Sequence, residues 1–274
     1  MFQQTAPKSR LDSAIVIAEL IYHNAVRTVR KTHNNAVMSI LMNMVQAATF
    51  VLAFFLMFSV IPGMRSSAIR GDYLLYIMSG VFLFMTHVKT MGSVVGSEGP
   101  ASPMMQHAPM TTAIAIAAAM LSSLYVQVIS MFTILFLYYT AWQPFEIYDA
   151  AGCMAMLLLA WFTGAAVGMV FLALKPWFPT AVGIATTIYQ RANMIASGKM
   201  FVANTLPGFM LVMFDWNPLF HTIDQARGFA FINYTPHNST IAYPLILGVV
   251  LFTIGLMGEF YTRKHASASW SARR

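Results

Sequence analysis

The chain has 274 residues, of which 58% are hydrophobic and 9% are charged, and its mean hydropathy is +0.64. A soluble domain carries roughly 25% charged residues, so this composition excludes a water-soluble globular protein. The net charge of +7 does not indicate nucleic-acid binding, because Lys and Arg cluster near chain ends and loop edges, as they do in membrane proteins. Since one span needs about 20 apolar residues, the chain has room for one membrane domain and little else.

The amino-terminal segment, residues 1–35, is basic and precedes the first long apolar run. It contains no apolar core long enough for a cleavable signal peptide, so we expect it to remain on the mature protein. On a helix, Asp12, Glu19, His23 and Arg27 fall along one line, with apolar residues opposite. This pattern predicts an amphipathic helix in the membrane interface; a cytoplasmic helix packed on a partner is the alternative.

Six later segments are long and apolar enough to cross a membrane as helices. They are residues 36–61, 73–95, 111–140, 149–174, 178–197 and 241–261. The sequence therefore predicts an all-α polytopic membrane protein of about six spans, with a transmembrane domain at 36–262 and a basic tail at 263–274. Most Lys and Arg residues fall on the side that carries both termini, so we expect both termini in the cytoplasm.

Two breaks interrupt the apolar stretch between the fifth and sixth segments. Residues 206–208 (Leu-Pro-Gly) and 215–218 (Asp-Trp-Asn-Pro) are helix-breaking and separate two short apolar pieces. Broken backbone at membrane depth is tolerated only inside protein or beside a water-filled cavity. We therefore expect short helices that enter the outer leaflet and return, or lie on it, at the outer end of a pathway.

The motifs of nucleotide hydrolysis and metal catalysis are missing from the sequence. Its nearest approach to a phosphate-binding loop, residues 197–200 (Ser-Gly-Lys-Met), lacks the first glycine and the terminal hydroxyl. The seven histidines form no metal-ligand pattern, and the single cysteine, Cys153, lies in an apolar run. We expect no catalytic site, metal or cofactor in this chain.

Ionisable and aromatic residues within the apolar segments are the candidates for a transport pathway. A cation near the middle of a span costs at least roughly 2.5 to 3.5 kcal/mol unless it faces a cavity or a partner. Arg191 and Lys89 are such cations, although Arg191 could pair with Asp215 or Glu146, and Lys89 could extend to the cytoplasmic side. Aromatic side chains could pack the core, form an interfacial belt or stack on a ligand. Those assigned to the pathway are Phe54, Phe58, Tyr138, Tyr139 and Trp161.

The ordered motifs before the last span provide a more specific signal. Residues 195–201 (Ile-Ala-Ser-Gly-Lys-Met-Phe), 206–208 (Leu-Pro-Gly) and 216–221 (Trp-Asn-Pro-Leu-Phe-His) are followed by Asp224 and Arg227. This series resembles the membrane subunits of type-2 ABC exporters, in the branch that exports capsular polysaccharide or lipopolysaccharide O-antigen. Within the series Lys199 is a departure, because an apolar residue is usual after Ser-Gly in that family.

The resemblance implies a partnership and a location. The protein would be a homodimer in the bacterial inner membrane, in contact with membrane lipid, and two copies of a separate ATPase subunit would bind ATP and Mg. The loop after the second span would be the coupling helix that docks on the ATPase; by itself, its Gly- and Pro-rich composition favours a plain connector over a docking site. The residues assigned to this loop are Glu98, Pro103, His107 and Pro109. Those assigned to a periplasmic gate of short helices are Pro207, Trp216, Asn217, Pro218, His221 and Arg227.

Three other functions remain open at this point. A type-2 ABC exporter of drugs or lipids would share the topology but should lack the series from Trp216 to Arg227. A secondary transporter should show paired acids within the spans or an inverted repeat, and neither is visible. A membrane-bound enzyme or assembly factor should show catalytic polar residues clustered on one membrane face. The sequence therefore favours the permease subunit of a polysaccharide exporter.

Overall fold

A computed structural model describes residues 10–31, 35–60, 72–99 and 111–265, apart from the side chains of residues 10, 31 and 58–60. Within these ranges the chain folds into nine α-helices and one short 3-10 turn at Ala203–Thr205. The helices are α1 (Arg10–Lys31), α2 (Ala36–Val60), α3 (Tyr73–Val95), α4 (Thr112–Ala141), α5 (Ala150–Leu174), α6 (Pro179–Ala196), α7 (Gly208–Phe214), α8 (Pro218–Ala230) and α9 (Ala242–His265). The predicted all-α fold is confirmed.

Five of the described helices, α2, α3, α4, α5 and α9, are long and apolar enough to cross a membrane. This confirms the polytopic character of the chain. The segment predicted as the fifth span forms α6, a helix of 18 residues that is less apolar than these five. Thr186, Thr187, Gln190 and Arg191 make the middle of α6 polar.

The helix α5 lies at the centre of the bundle and packs against α3 on one side and α9 on the other. Small residues allow the backbones to approach closely. A Cβ atom at Gly164 would lie 2.4 Å from the carbonyl oxygen of His87, and one at Gly255 would lie 2.5 Å from the Cβ atom of Met169. Such close approach stabilises helix pairs in lipid, where hydrophobic burial contributes little.

The peripheral helices leave most of their apolar surface uncovered. In the apolar 18-residue stretch of each spanning helix, 78% of the residues of α3 and 67% of those of α5 are buried. The corresponding fraction is 22% in both α2 and α9. Helix α1 packs along α4 but exposes Leu11, Ile15 and Tyr22. Exposed apolar faces of this extent suit lipid or another protein surface. The interfacial position of α1 stays a prediction.

A polar cluster joins the first turn of α3 to the last turn of α4. Asp72 caps α3 by accepting a hydrogen bond from the amide of Leu74 at 2.9 Å. The same carboxylate accepts hydrogen bonds from the Tyr138 hydroxyl at 2.5 Å and from the Gln143 amide at 3.0 Å. Tyr138 is therefore buried and fixed at a helix end.

Candidate functional site

Between α6 and α9 the chain makes a compact unit that we call the short-helix segment, residues 197–241. Pro207 immediately precedes α7, and Asn217 and Pro218 start α8, so the two predicted breaks are helix starts. The fixed φ of proline and its missing N–H suit the first turn of a helix. The two breaks therefore produce short helices, as expected from the sequence.

Asn217 links the start of α8 to the end of α6. Its side-chain oxygen accepts a hydrogen bond from the Leu219 amide at 3.0 Å, which caps α8. Its amide nitrogen donates to the side-chain oxygen of Asn193 and to the carbonyl oxygen of Ala196, both at 2.9 Å. Asn217 is buried, and these bonds satisfy polar groups that would otherwise be unpaired.

The guanidinium of Arg227 holds the turn between α6 and α7. It donates hydrogen bonds to the carbonyl oxygens of Gly198 at 2.9 Å, Lys199 at 2.9 Å and Phe201 at 2.7 Å. The ring of Tyr76 on α3 lies 4.1 Å from its central carbon, a cation–π contact. Arg227 is only 1% exposed, so this arginine is a structural clamp on the turn.

Two glycines make room for that turn. Gly198 has a φ of +76°, a left-handed conformation that favours glycine. On the facing helix α3, a Cβ atom at Gly80 would lie 2.9 Å from the Cα atom of Lys199 and 3.0 Å from a terminal nitrogen of Arg227. The turn therefore packs directly against the backbone of α3.

Lys199 enters the core from this turn and is surrounded by aromatic rings. Its ammonium nitrogen lies 3.3 Å from the ring centre of Phe84, 5.2 Å from that of Phe54 and 5.4 Å from that of Phe50. The nitrogen is buried and has no hydrogen-bond partner among the described residues. Burial lowers the pKa of Lys199 from its ordinary value. Sequence reasoning placed no function at Lys199, although its position after Ser-Gly marked it as unusual.

His221 and Asp224 fix α8 to the strand-like connection before α9. The His221 Nδ1 atom accepts a hydrogen bond from the Thr240 amide at 3.1 Å, so Nε2 carries the proton and donates to the carbonyl oxygen of Asp215 at 2.6 Å. Asp224 accepts hydrogen bonds from the hydroxyls of Tyr234 and Ser239.

The Tyr234 hydroxyl donates to Asp224 because it remains protonated. Burial, and then the neighbouring Asp224 carboxylate, raise the pKa of Tyr234 above its ordinary value.

In the same segment, the carbonyl oxygen of Trp216 accepts a hydrogen bond from the Tyr243 hydroxyl at 2.7 Å. The Trp216 ring itself is exposed, as is Pro207. Of the residues assigned to the gate, Asn217, Pro218, His221 and Arg227 are buried together, whereas these two lie on the surface.

A second site lies near the opposite end of α3. A cavity of about 410 Å³ opens between α1, α2, α3 and α4, and we call it the polar cavity. It is lined by Thr28, Val29, Ser39, Met42, Asn43, Gln46, Lys89, Ser93, Ser122, Ser123, Val126 and Gln127. Most of these side chains are polar, although three of the four helices are long and apolar enough to cross a membrane. Unpaired polar groups cost free energy in lipid unless water or a ligand hydrogen-bonds to them. Lys89, singled out from the sequence, is the ionisable residue of this wall.

The other residues assigned to a pathway are dispersed within one chain. Arg191 is exposed on α6 and forms no ion pair with Asp215 or Glu146 in the described structure. Phe54 belongs to the ring cluster around Lys199. Tyr139 packs edge-on against Phe145 with ring centres 5.8 Å apart, beside the buried Tyr138. The Trp161 indole donates to the carbonyl oxygen of Met120 at 2.9 Å, and the side chain of Phe58 lies outside the described residues.

The residues assigned to the coupling loop mostly fall outside the described part. Pro103, His107 and Pro109 do, while Glu98 lies half-buried just beyond the end of α3. After the loop, α4 is anchored by a hydrogen bond from the Thr112 hydroxyl to the buried Glu259 of α9.

Sequence reasoning also missed a buried polar junction at His87. The Nδ1 atom lies 3.2 Å from the carbonyl oxygen of Ala160, which can only accept, so Nδ1 carries the proton. Nε2 therefore accepts a hydrogen bond from the Tyr189 hydroxyl at 2.9 Å. The junction ties α6 to α3 and α5, and a single histidine in an apolar run gives no local signal for it.

Comparison with known proteins adds no identity, since no family model and no curated protein matches the chain.

Proposed function

We propose that this chain is the permease subunit of an ATP-driven ABC exporter that moves a polysaccharide, or a polymer linked to a glycolipid, across the bacterial inner membrane. One observation carries the proposal: three side chains of the series on which the family resemblance rests, Asn217, His221 and Arg227, are buried and hydrogen-bonded immediately before α9. A network that fixes two short helices against the spans is what an outer gate of rigid helices requires.

The energy source in this proposal is a separate ATPase subunit that docks on the loop after α3. The chain has no phosphate-binding loop of its own. The contact between Thr112 and Glu259 supports a coupling role for the loop, because a force on the start of α4 passes directly to α9. Hydrolysis by two ATPase copies would then move the spans of both permease copies.

The substrate path in this proposal runs between two copies of the chain, and the polymer is not chemically changed. Arg191 supports this arrangement, because it is an exposed cation on the second half of α6 that forms no ion pair with any residue that the structure describes. A cation near a membrane span is retained where it faces a cavity, a partner or a substrate. Weak, repeated contacts with aromatic rings suit a moving polymer better than one deep binding site.

The runner-up is an exporter of lipids or drugs with the same topology. A cavity of about 140 Å³ between α3, α4, α5 and α8 favours it, since Phe82, Met131, Leu135 and Met154 are among its lining side chains. Apolar walls of this kind suit a segment of an acyl chain.

Deleting the gene and complementing it with variants tests the proposal. We expect deletion to abolish surface polysaccharide and to leave polymer inside the cell, and Arg191→Ala to reduce export without lowering membrane abundance. Arg191→Lys should recover export in part, since it keeps the charge but loses the planar geometry. Normal surface polysaccharide combined with altered drug or lipid efflux would instead establish the runner-up.

The energy supply is tested separately with purified protein. The chain alone should hydrolyse no ATP, and Glu98→Ala should weaken its stimulation of the co-purified ATPase. Unchanged stimulation would mean that the loop is a connector.

A further inference from the structure

The polar cavity has the features of a ligand site, and its lining shows which ligand chemistry fits. Lys89 and Gln46 both line it, and neither has a hydrogen-bond or ion-pair partner among the described residues. The lining contains no carboxylate to neutralise the ammonium of Lys89. An ammonium in a polar wall that holds no counter-charge favours an anion.

The serine hydroxyls of the same wall are acceptors. Ser93 and Ser122 both donate their protons to the carbonyl oxygen of Ala119, at 2.9 Å and 3.0 Å. Their oxygen lone pairs therefore remain as hydrogen-bond acceptors. A ligand that satisfies the wall carries an anionic group for Lys89 and hydroxyl donors for the two serines.

The position of the cavity favours a lipid over a soluble ligand. Met42 lines it and is 47% exposed, and α2, which carries Met42, is long and apolar enough to cross a membrane, so the cavity borders exposed apolar surface. A smaller cavity shares Thr28 and Ser93 with it and reaches Glu98 at the end of α3. A head group can therefore enter near the membrane surface while its chains stay along α2. The volume of about 410 Å³ falls within the range of small-molecule sites.

We propose that the polar cavity binds the head group of an anionic, hydroxylated phospholipid of the glycerol-phosphate class, with Lys89 at the phosphate and Ser93 and Ser122 at the hydroxyls. The inference stands on the cavity and not on the export proposal. A chain that exports no polysaccharide would bind this lipid equally well.

The test uses the full chain in nanodiscs of phosphatidylcholine, titrated with fluorescent phosphatidylglycerol. Lys89→Met should weaken binding at least about tenfold, because hydrogen bonds to charged groups have that effect or more. The matched control is Lys264→Met, which removes an exposed lysine from the last turn of α9. We expect less than a twofold change for the control.

The hydroxyl contacts are tested with phosphatidic acid, whose head group is a bare phosphate. Wild-type protein should bind phosphatidylglycerol more tightly, and the double variant Ser93→Ala and Ser122→Ala should lose that preference. This comparison decides the case even if Lys89→Met does not fold. Equal loss in Lys89→Met and Lys264→Met would overturn the proposal, as would a wild type with no preference between the two lipids. Displacement of the labelled lipid by micromolar sn-glycerol 3-phosphate would show a soluble ligand and reject the lipid.

Discussion

The short-helix segment and the polar cavity each contain a cation, but Arg227 is buried whereas Lys89 is exposed in the cavity wall. Arg227 is enclosed by three carbonyl oxygens and one aromatic ring. Lys89 lines an open cavity and has no partner in the described structure. A buried charge that makes several hydrogen bonds stabilises the fold, whereas an exposed charge without a partner is available to a ligand. The first site should therefore be sensitive to substitution in stability and the second in binding.

The largest effect is expected at Arg227. Arg227→Met removes three hydrogen bonds from a charged donor and leaves the carbonyl groups of the turn buried without partners, which should cost about 3 to 5 kcal/mol. Thermal unfolding in detergent and membrane abundance measure this loss. The matched variant Arg263→Met removes an exposed arginine from the last turn of α9 and should change stability by less than about 0.5 kcal/mol. Equal stability of the two variants would contradict the clamp.

A smaller loss is expected at Asn217. Asn217→Ala removes the cap of α8 and the two bonds donated to the end of α6, for a total of about 2 to 3 kcal/mol. Denaturant titration of the purified protein measures it. Asn217→Asp retains the cap but directs a carboxylate oxygen at the acceptor oxygens of Asn193 and Ala196, so it should destabilise at least as much as Asn217→Ala. Asn233→Ala, at an exposed turn, should have no effect. A stable Asn217→Ala would show that α8 is held without its cap.

The close approach of α3 to the turn predicts a steric effect. Gly80→Ala places a methyl group within 3.0 Å of Lys199 and Arg227, so overpacking should destabilise by about 1 to 3 kcal/mol. Gly183→Ala is the control, because its added methyl group meets nothing within 4 Å. It should be neutral or stabilise by up to about 1 kcal/mol through helix propensity. The two unfolding temperatures should therefore shift in opposite directions, and a common shift would argue against the close contact.

The smallest effect is expected at the other buried cation of the short-helix segment. Cation–π contacts stabilise Lys199 by about 0.5 to 2 kcal/mol, but burying an ammonium without a hydrogen bond opposes this gain. Lys199→Met keeps the length of the side chain and should leave the free energy of unfolding within about 1 kcal/mol of wild type, or raise it. A loss above 2 kcal/mol in the same assay would show that the ring cluster contributes more than cation–π contacts normally do.

The predictability of these features depends on how local their causes are. The apolar runs predicted the five spanning helices, and the breaks at 206–208 and 215–218 predicted the starts of α7 and α8, because proline, glycine and capping residues act within one turn. The contacts of Lys199 and His87 could not be predicted, since their partners come from helices distant in sequence. Lys89 was identified as an intramembrane cation, but its cavity requires four helices to be placed together.

The glycine-lined contacts of α5 also constrain how the protein is made. One face of α5 is completed by α3, which is synthesised earlier, and the opposite face is completed by α9, which is synthesised later. Among the described residues, Gly255 of α9 is the glycine that approaches the surface of α5 around Met169, so this contact forms only after α9 is inserted. Membrane helices can insert individually and associate later, because lipid covers an apolar helix surface without packing closely against it. Close packing of α5 on this face is therefore completed only when the last span is in place.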